Sequence, residues 1–176
     1  MKKALILHAY TNTPEGNWYP WLKVELEKRG YEVWVPQLPT MEGPKPDMEV
    51  MLRAIMERDW VDEETVVVGH SLGAVLTIRL AERVKFFQGI VLAGWDFDDL
   101  DPRDELFWPS KIDFQKVKSN VLRWIVPISD NDPYVSAYMT ERMAERLGAK
   151  VIKMGQRGHF CTGDGVTEVP EILEWV

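Results

Sequence analysis

Cysteine is almost missing from this chain, with Cys161 the one thiol in 176 residues. No internal disulfide can form, which suits a reducing cytoplasm and excludes the small, disulfide-stapled secreted scaffolds. Histidine is scarce too: the three are His8, His70 and His159. None sits in a His-Glu-x-x-His or paired Cys/His spacing, so no metal is expected. Long apolar runs are absent. The run after Met1-Lys2-Lys3 stops at His8, too short for a signal-peptide core or a membrane span. Basic clusters are absent as well, and the net charge is -7. Duplex binding depends on Lys and Arg neutralising phosphates, so a nucleic-acid partner is not expected. Neither Gly-x-Gly-x-x-Gly nor a Gly-Lys-Ser/Thr ending occurs, and a phosphate-cradling loop has no support. The acidic stretch Asp96, Asp98, Asp99, Asp101 lacks the glycine and terminal glutamate of a calcium loop in register, and reads as solvated.

What remains is an ordinary folded composition, 45% hydrophobic and 28% charged, long enough for one core and one domain spanning 1–176. Apolar runs at 4–7, 31–35, 65–68, 89–94, 121–128 and 149–154 predict six strands. Between them lie helical patterns. Trp18, Trp21, Leu22 and Leu26 recur at helical spacing before Arg29-Gly30. Asp47 can cap a helix carrying Met48, Met51, Leu52 and Ile55, and another buries Val75, Ile78 and Ala81. The segment from Asp130-Asn131-Asp132-Pro133 turns into a helix with Val135, Tyr138, Met139 and Met143, and a last helix runs from about Val166 to Trp175. An irregular stretch from Trp95 to about Asn120 breaks the alternation. Alternating strands and helices imply an α/β doubly wound, mostly parallel sheet covered on both faces.

One stretch organises the rest. Thr65-Val66-Val67-Val68 reads as a buried strand, and Gly69-His70-Ser71-Leu72-Gly73 follows as Gly-x-Ser-x-Gly before a helix-compatible run. A sharp strand-to-helix turn of this kind presents the serine hydroxyl at the carboxyl end of the sheet. The flanking glycines are required because side chains there would collide with strand or helix. Ligands in such sheets bind beyond the carboxyl ends of the strands, where loops converge. Ser71 follows the third strand, Asp130 and Asp132 the fifth, and His159 the sixth. That is the order Ser, Asp, His used by one of the known triad folds and not by others. A serine hydroxyl is a weak nucleophile, so His159 must take its proton and return it to the leaving group, oriented by an aspartate.

The chain resembles the α/β-hydrolase superfamily, and within it the short, nearly cap-free serine hydrolases typified by the retinoblastoma-binding hydrolase and YdeN-like proteins. The similar positions are Trp18-Tyr19-Pro20-Trp21-Leu22, Gly69-His70-Ser71-Leu72-Gly73-Ala74, Asp132-Pro133 and Gly158-His159-Phe160. The resemblance implies a sheet ordered 2-1-3-4-5-6, Ser71 as nucleophile, Asp132 as acid, His159 as base, and no metal or organic cofactor. It places the oxyanion donors at the backbone N–H groups of Leu72 and Tyr10, the latter because His8-Ala9-Tyr10 stands where the family has His-Gly-x. His8 and His70 read as loop-fixing residues and Cys161 as a buried spacer. Of the eight tryptophans, Trp18, Trp95 and Trp108 are expected to line a substrate pocket, with Tyr19 and Trp21 nearby; Trp34, Trp124 and Trp175 are expected in the core. The resulting expectation is a cytoplasmic carboxylesterase-like enzyme acting on small acyl esters, with no large cap to cover the site. An amidase or aminopeptidase is the nearest rival, since the acidic loop could attract a substrate ammonium. A protein-binding member with weak turnover is another. The Leu-x-Cys-x-Glu motif used toward retinoblastoma-type partners is absent, because Thr162-Gly163 follow Cys161. A monomer and a homodimer are both compatible with the sequence.

Overall fold

A computed structural model describes residues 2–95 and 110–176. Six strands form one parallel sheet: β1 (Lys3–Leu7), β2 (Glu32–Trp34), β3 (Thr65–His70), β4 (Phe86–Leu92), β5 (Val121–Ile128) and β6 (Lys150–Lys153). Their order is β2-β1-β3-β4-β5-β6, and every neighbouring pair is parallel. The predicted order holds, and the sheet is wholly rather than mostly parallel.

The continuous apolar runs follow from burial on both faces. Ala4 and Ile6 of β1 join Val66, Val68 and Ile90 on the face covered by α1 (Tyr19–Lys28) and α6 (Ile172–Trp175). Leu5 and Leu7 point the other way, with Val67 and Val91, into the core beneath α2 (Met48–Met56), α3 (Leu72–Ala81), α4 (Phe114–Asn120) and α5 (Ala137–Leu147). Truncating one of the fully buried leucines or isoleucines among them to alanine costs about 2–5 kcal/mol. The central helix α3 is buried along its whole length, so the elbow at its start sits on a rigid support. Among the described residues, no helix is long and apolar enough to cross a membrane.

Several strand ends move by one or two residues, and four boundaries differ by more than that from the sequence reading. β4 starts at Phe86 rather than Gly89 because Gln88, which interrupts the apolar run, is buried and donates from Nε2 to the Trp175 carbonyl at 2.9 Å. The stretch read as irregular contains α4, capped by the Asp113 carboxylate on the Lys116 N–H at 3.0 Å. At seven residues it is too short for periodicity to reveal. α5 begins at Ala137, with Ser136 as its cap, four residues beyond Pro133. The final helix is reduced to Ile172–Trp175, since Pro170 biases Val169 away from helical backbone.

Candidate active site

The turn from β3 into α3 is over-determined. Ser71 has φ 56° and ψ -118°, a conformation that costs energy in any residue with a Cβ. Its N–H donates to the Leu92 carbonyl at 2.9 Å, and its own carbonyl accepts from Ala74 and Val75. A Cβ at Gly69 would stand 2.4 Å from the Gly73 carbonyl oxygen, and one at Gly73 would stand 2.1 Å from that of Leu7. Neither obstacle is a movable side chain, so both positions exclude every residue but glycine.

Two loops bring the other predicted groups to the serine. His159 Nε2 lies 2.9 Å from Ser71 Oγ. His159 Nδ1 lies 2.8 Å from Asp132 Oδ2 and 3.0 Å from Oδ1. A proton on Nδ1, donated to the carboxylate, leaves the Nε2 lone pair facing the serine hydroxyl, the tautomer that proton abstraction needs. The Asp132 side chain is 3% exposed, and its Oδ1 also accepts from the N–H groups of Tyr134 and Val135, each at 2.9 Å. This turn holds the carboxylate ahead of α5, whose own cap is Ser136. Asp130 is exposed, and its backbone N–H is spent on the Gly155 carbonyl at 2.8 Å. Of the two aspartates left open by residue order, Asp132 is the one that meets the imidazole.

Residues the sequence reading passed over tie these loops together. Asn131 Oδ1 accepts from Ser129 Oγ at 3.0 Å and from the Gly158 N–H at 2.8 Å, and Ser129 Oγ accepts from the Arg157 N–H at 3.1 Å. Asp164 Oδ2 accepts from the N–H groups of His159 and Cys161, at 2.8 and 3.2 Å. The loops after β5 and β6 are thus stitched before either reaches Ser71. No sequence signal marks Asn131 or Asp164, because each gains its role only when loops distant in the chain converge.

The segment before α1 clamps the same loop from the opposite side. Asn17 Oδ1 accepts from the Thr162 N–H at 3.0 Å, and Trp18 Nε1 donates to the Phe160 carbonyl at 2.9 Å. Trp18 is fully buried in the core, so its expected place in a substrate pocket is corrected: its ring packs edge-on against Tyr19, at 4.9 Å between centroids, and its indole N–H is used up as a strut. Tyr19 is likewise buried, and Trp21 packs at the rim of that core. The two other histidines fix loops. His8 Nδ1 donates to the Ala9 carbonyl at 2.9 Å while Nε2 accepts from the Leu38 N–H at 3.2 Å, and burial lowers its pKa. His70 lies 2.7 Å from both the Tyr19 hydroxyl and the His159 carbonyl. Its burial lowers the pKa to about 4, so the ring is neutral at physiological pH.

Above Ser71 opens a cleft of about 810 Å³, lined by Tyr10, Trp95, Tyr134, Val135 and Met139 together with Ser71 and His159. Trp95 is where it was expected; Trp108 lies outside the described residues, as does the acidic stretch. Tyr10 lines the cleft beside the serine, and its hydroxyl donates to the Gly43 carbonyl at 3.0 Å. Leu72 is the first residue of α3, where a backbone N–H has no acceptor within its own helix. Ala9 does not have a positive φ; Thr11, two residues on, does, at 53°. Cys161 is a half-buried part of the cleft wall rather than a buried spacer. Burial pushes its thiol up to about 11, which suppresses the reactive thiolate.

Comparison with known proteins identifies the family and the fold. A family model described as serine hydrolase matches residues 4–176. The chain is 29% identical to serine hydrolase RBBP9 of Rattus norvegicus over 163 residues, covering 90% of this chain and 84% of the rat protein. The crystal structure of the ydeN gene product of Bacillus subtilis superposes with a TM-score of 0.89 at 25% identity, covering 99% of this chain and 96% of that one. Est1E of Butyrivibrio proteoclasticus shares the fold, with a TM-score of 0.73 at 13% identity over 98% of this chain and 83% of its own.

Proposed function

This chain belongs to the serine hydrolase family, and from that premise we propose that it cleaves esters of small, uncharged acyl groups through an acyl-enzyme on Ser71. The observation that carries the reading is the unbroken line from Asp132 Oδ2 to His159 Nδ1, 2.8 Å, and from His159 Nε2 to Ser71 Oγ, 2.9 Å, at the floor of an open cleft. As Oγ attacks the ester carbonyl carbon, its proton passes to Nε2, and the Asp132 carboxylate stabilises the imidazolium. The negative oxygen of the tetrahedral intermediate is received by the N–H groups of Leu72 and Tyr10, each donor contributing about 3 kcal/mol to the transition state. The imidazolium then protonates the departing alkoxide, leaving the acyl group on Ser71. A water activated by the same Nε2 releases the acid and restores the serine.

The cleft supports the substrate class. Its walls are aromatic and aliphatic at Trp95, Tyr134, Val135 and Met139, with neutral Thr11 and Asn12 at its edge.

The test is labelling by a fluorophosphonate probe, with turnover of p-nitrophenyl esters of increasing chain length. Ser71→Ala should abolish labelling while leaving the thermal transition in place, and short esters should be hydrolysed faster than long ones. Failure of the folded wild type to label would overturn the proposal. Faster turnover of matched aminoacyl amides would move it to amide bonds.

A further inference from the structure

The buried groups beneath the elbow form a directed chain that proton abstraction and acyl transfer do not use. Tyr19 Oη lies 3.0 Å from the Ala9 N, 3.2 Å from Asn17 Nδ2 and 2.7 Å from His70 Nδ1. His70 Nε2 lies 2.7 Å from the carbonyl oxygen of His159. Each direction follows from the chemistry of the ends. A carbonyl can only accept, so His70 Nε2 carries the ring proton. Nδ1 is then a bare lone pair and accepts from the Tyr19 hydroxyl. The phenolic oxygen, having given its one hydrogen, receives the Ala9 N–H and the Asn17 amide. All the groups are satisfied in one arrangement, and reversing any bond would strand a buried polar atom.

The route matters more than its tightness. It starts in the loop after β1, where Tyr10 follows Ala9. It passes through the residue immediately before Ser71 and ends on the main chain of His159 itself. Asn17 and Trp18 also hold the base loop, but at Thr162 and Phe160, farther along it. Among the described residues, only Tyr19 and His70 link the main chain of the base to both the nucleophile turn and the loop beside it.

We propose that Tyr19 and His70 are positioning residues whose hydrogen-bond relay sets the distance and angle of the His159 imidazole relative to Ser71 and holds the Tyr10 loop in register with it. The proposal rests on the hydrolytic reading of Ser71, His159 and Asp132. Neither side chain lines the cleft, so the relay acts on the turnover step and leaves substrate affinity alone.

Two amides separate the links of the relay. In His70→Gln the amide nitrogen takes the place of Nε2 and keeps the donor to the His159 carbonyl. In His70→Asn the amide oxygen takes the place of Nδ1 and keeps the acceptor for Tyr19 only. Tyr19→Phe removes the phenolic oxygen altogether. The experiment is steady-state kinetics on p-nitrophenyl acetate for the full-length variants, with nitrogen-15 NMR of the wild-type imidazoles at neutral pH. Misplacing the base by a fraction of an ångström should lower kcat about 10- to 100-fold in His70→Asn and Tyr19→Phe, with KM within about 3-fold. His70→Gln should recover kcat to within about 5-fold of wild type. The NMR spectrum should show His70 protonated at Nε2 and bare at Nδ1.

Folded His70→Asn and Tyr19→Phe enzymes with wild-type kcat, beside a wild type that labels at Ser71, would overturn the relay. So would a proton on His70 Nδ1. Should His70→Asn fail to fold, Tyr19→Phe and the wild-type tautomer decide the matter. A wild type that does not label overturns the hydrolase reading and the positioning role with it, and is told apart from the first result by the silent wild type.

Discussion

The two walls of the active site are built on opposite plans. The inner wall, made by Asn17, Trp18, Tyr19 and His70, has its two largest rings fully buried and their polar atoms paired. The outer wall, made by the loop after β5 and the start of α5, presents Tyr134 at 78% exposure. Tyr134 sets its ring edge-on to His159, 5.0 Å between centroids. A wall whose rings are buried and whose polar atoms are paired has no alternative arrangement, so it positions. An exposed ring is free to meet something else, so a change there is expected to alter selectivity before stability. Asp132 crosses the division: it belongs to the outer loop in sequence, but its side chain is 3% exposed and satisfied like the inner wall.

The crossing by Asp132 gives the largest expected effect. Asp132→Asn should lower kcat by about 10⁴-fold, because the amide cannot stabilise the imidazolium and favours the wrong tautomer. Asp130→Asn, on the exposed side of the same turn, should stay within about 3-fold of wild type, as a surface change away from such features. A larger loss at Asp130 in ester-hydrolysis assays would break the comparison at its centre.

The inner wall is tested next, by acid. Tyr19 and Trp18 of the α1 region face the His70 ring, as does His159; the more distant charges of Asp132 and Asp164 raise its pKa but do not outweigh burial. Its folded pKa is therefore depressed to about 4 from an ordinary 6.5. The unfolded chain takes up a proton first as pH falls. This contribution to stability is complete above about pH 6.5 and declines toward pH 4, by up to about 3 kcal/mol. His8, also lowered by burial, acts with the same sign. Urea titrations across that window should show the decline in wild type and a shallower one in His70→Gln; equal slopes would contradict the account.

The smallest effect belongs to the outer wall. Tyr134→Ala should change kcat/KM for aromatic esters by about 1 kcal/mol, the scale of one lost ring contact. Its thermal transition should stay put. A large loss of stability instead would make Tyr134 a structural ring like Trp18.

Much of this was legible in the chain, for reasons particular residues make plain. The strands around Leu5, Val67 and Ile125 are covered on both faces, so their runs stand out without any alternation to decode. Ser71 and His159 follow from a local pattern and from residue order. What misled was exposure. Trp18 sits on a carboxyl-end loop, as a pocket residue would, yet it turns inward to the Phe160 carbonyl. Pro133 suggested a helix start, yet Asp132 is engaged by the Tyr134 and Val135 N–H groups and the helix waits for Ser136.

The amino-acid order alone determined the parallel sheet, the elbow and the serine at its tip, because these depend on steric limits within a few residues and on hydrophobic burial that reads directly as composition. Only the folded chain decided that Trp18 turns away from the cleft, that Asn131 and Asp164 stitch the loops around His159, and that Tyr19 and His70 join the loops beneath Ser71. Those are choices among side chains far apart in sequence. They are made by where loops converge and by the cost of leaving any buried donor or acceptor unpaired.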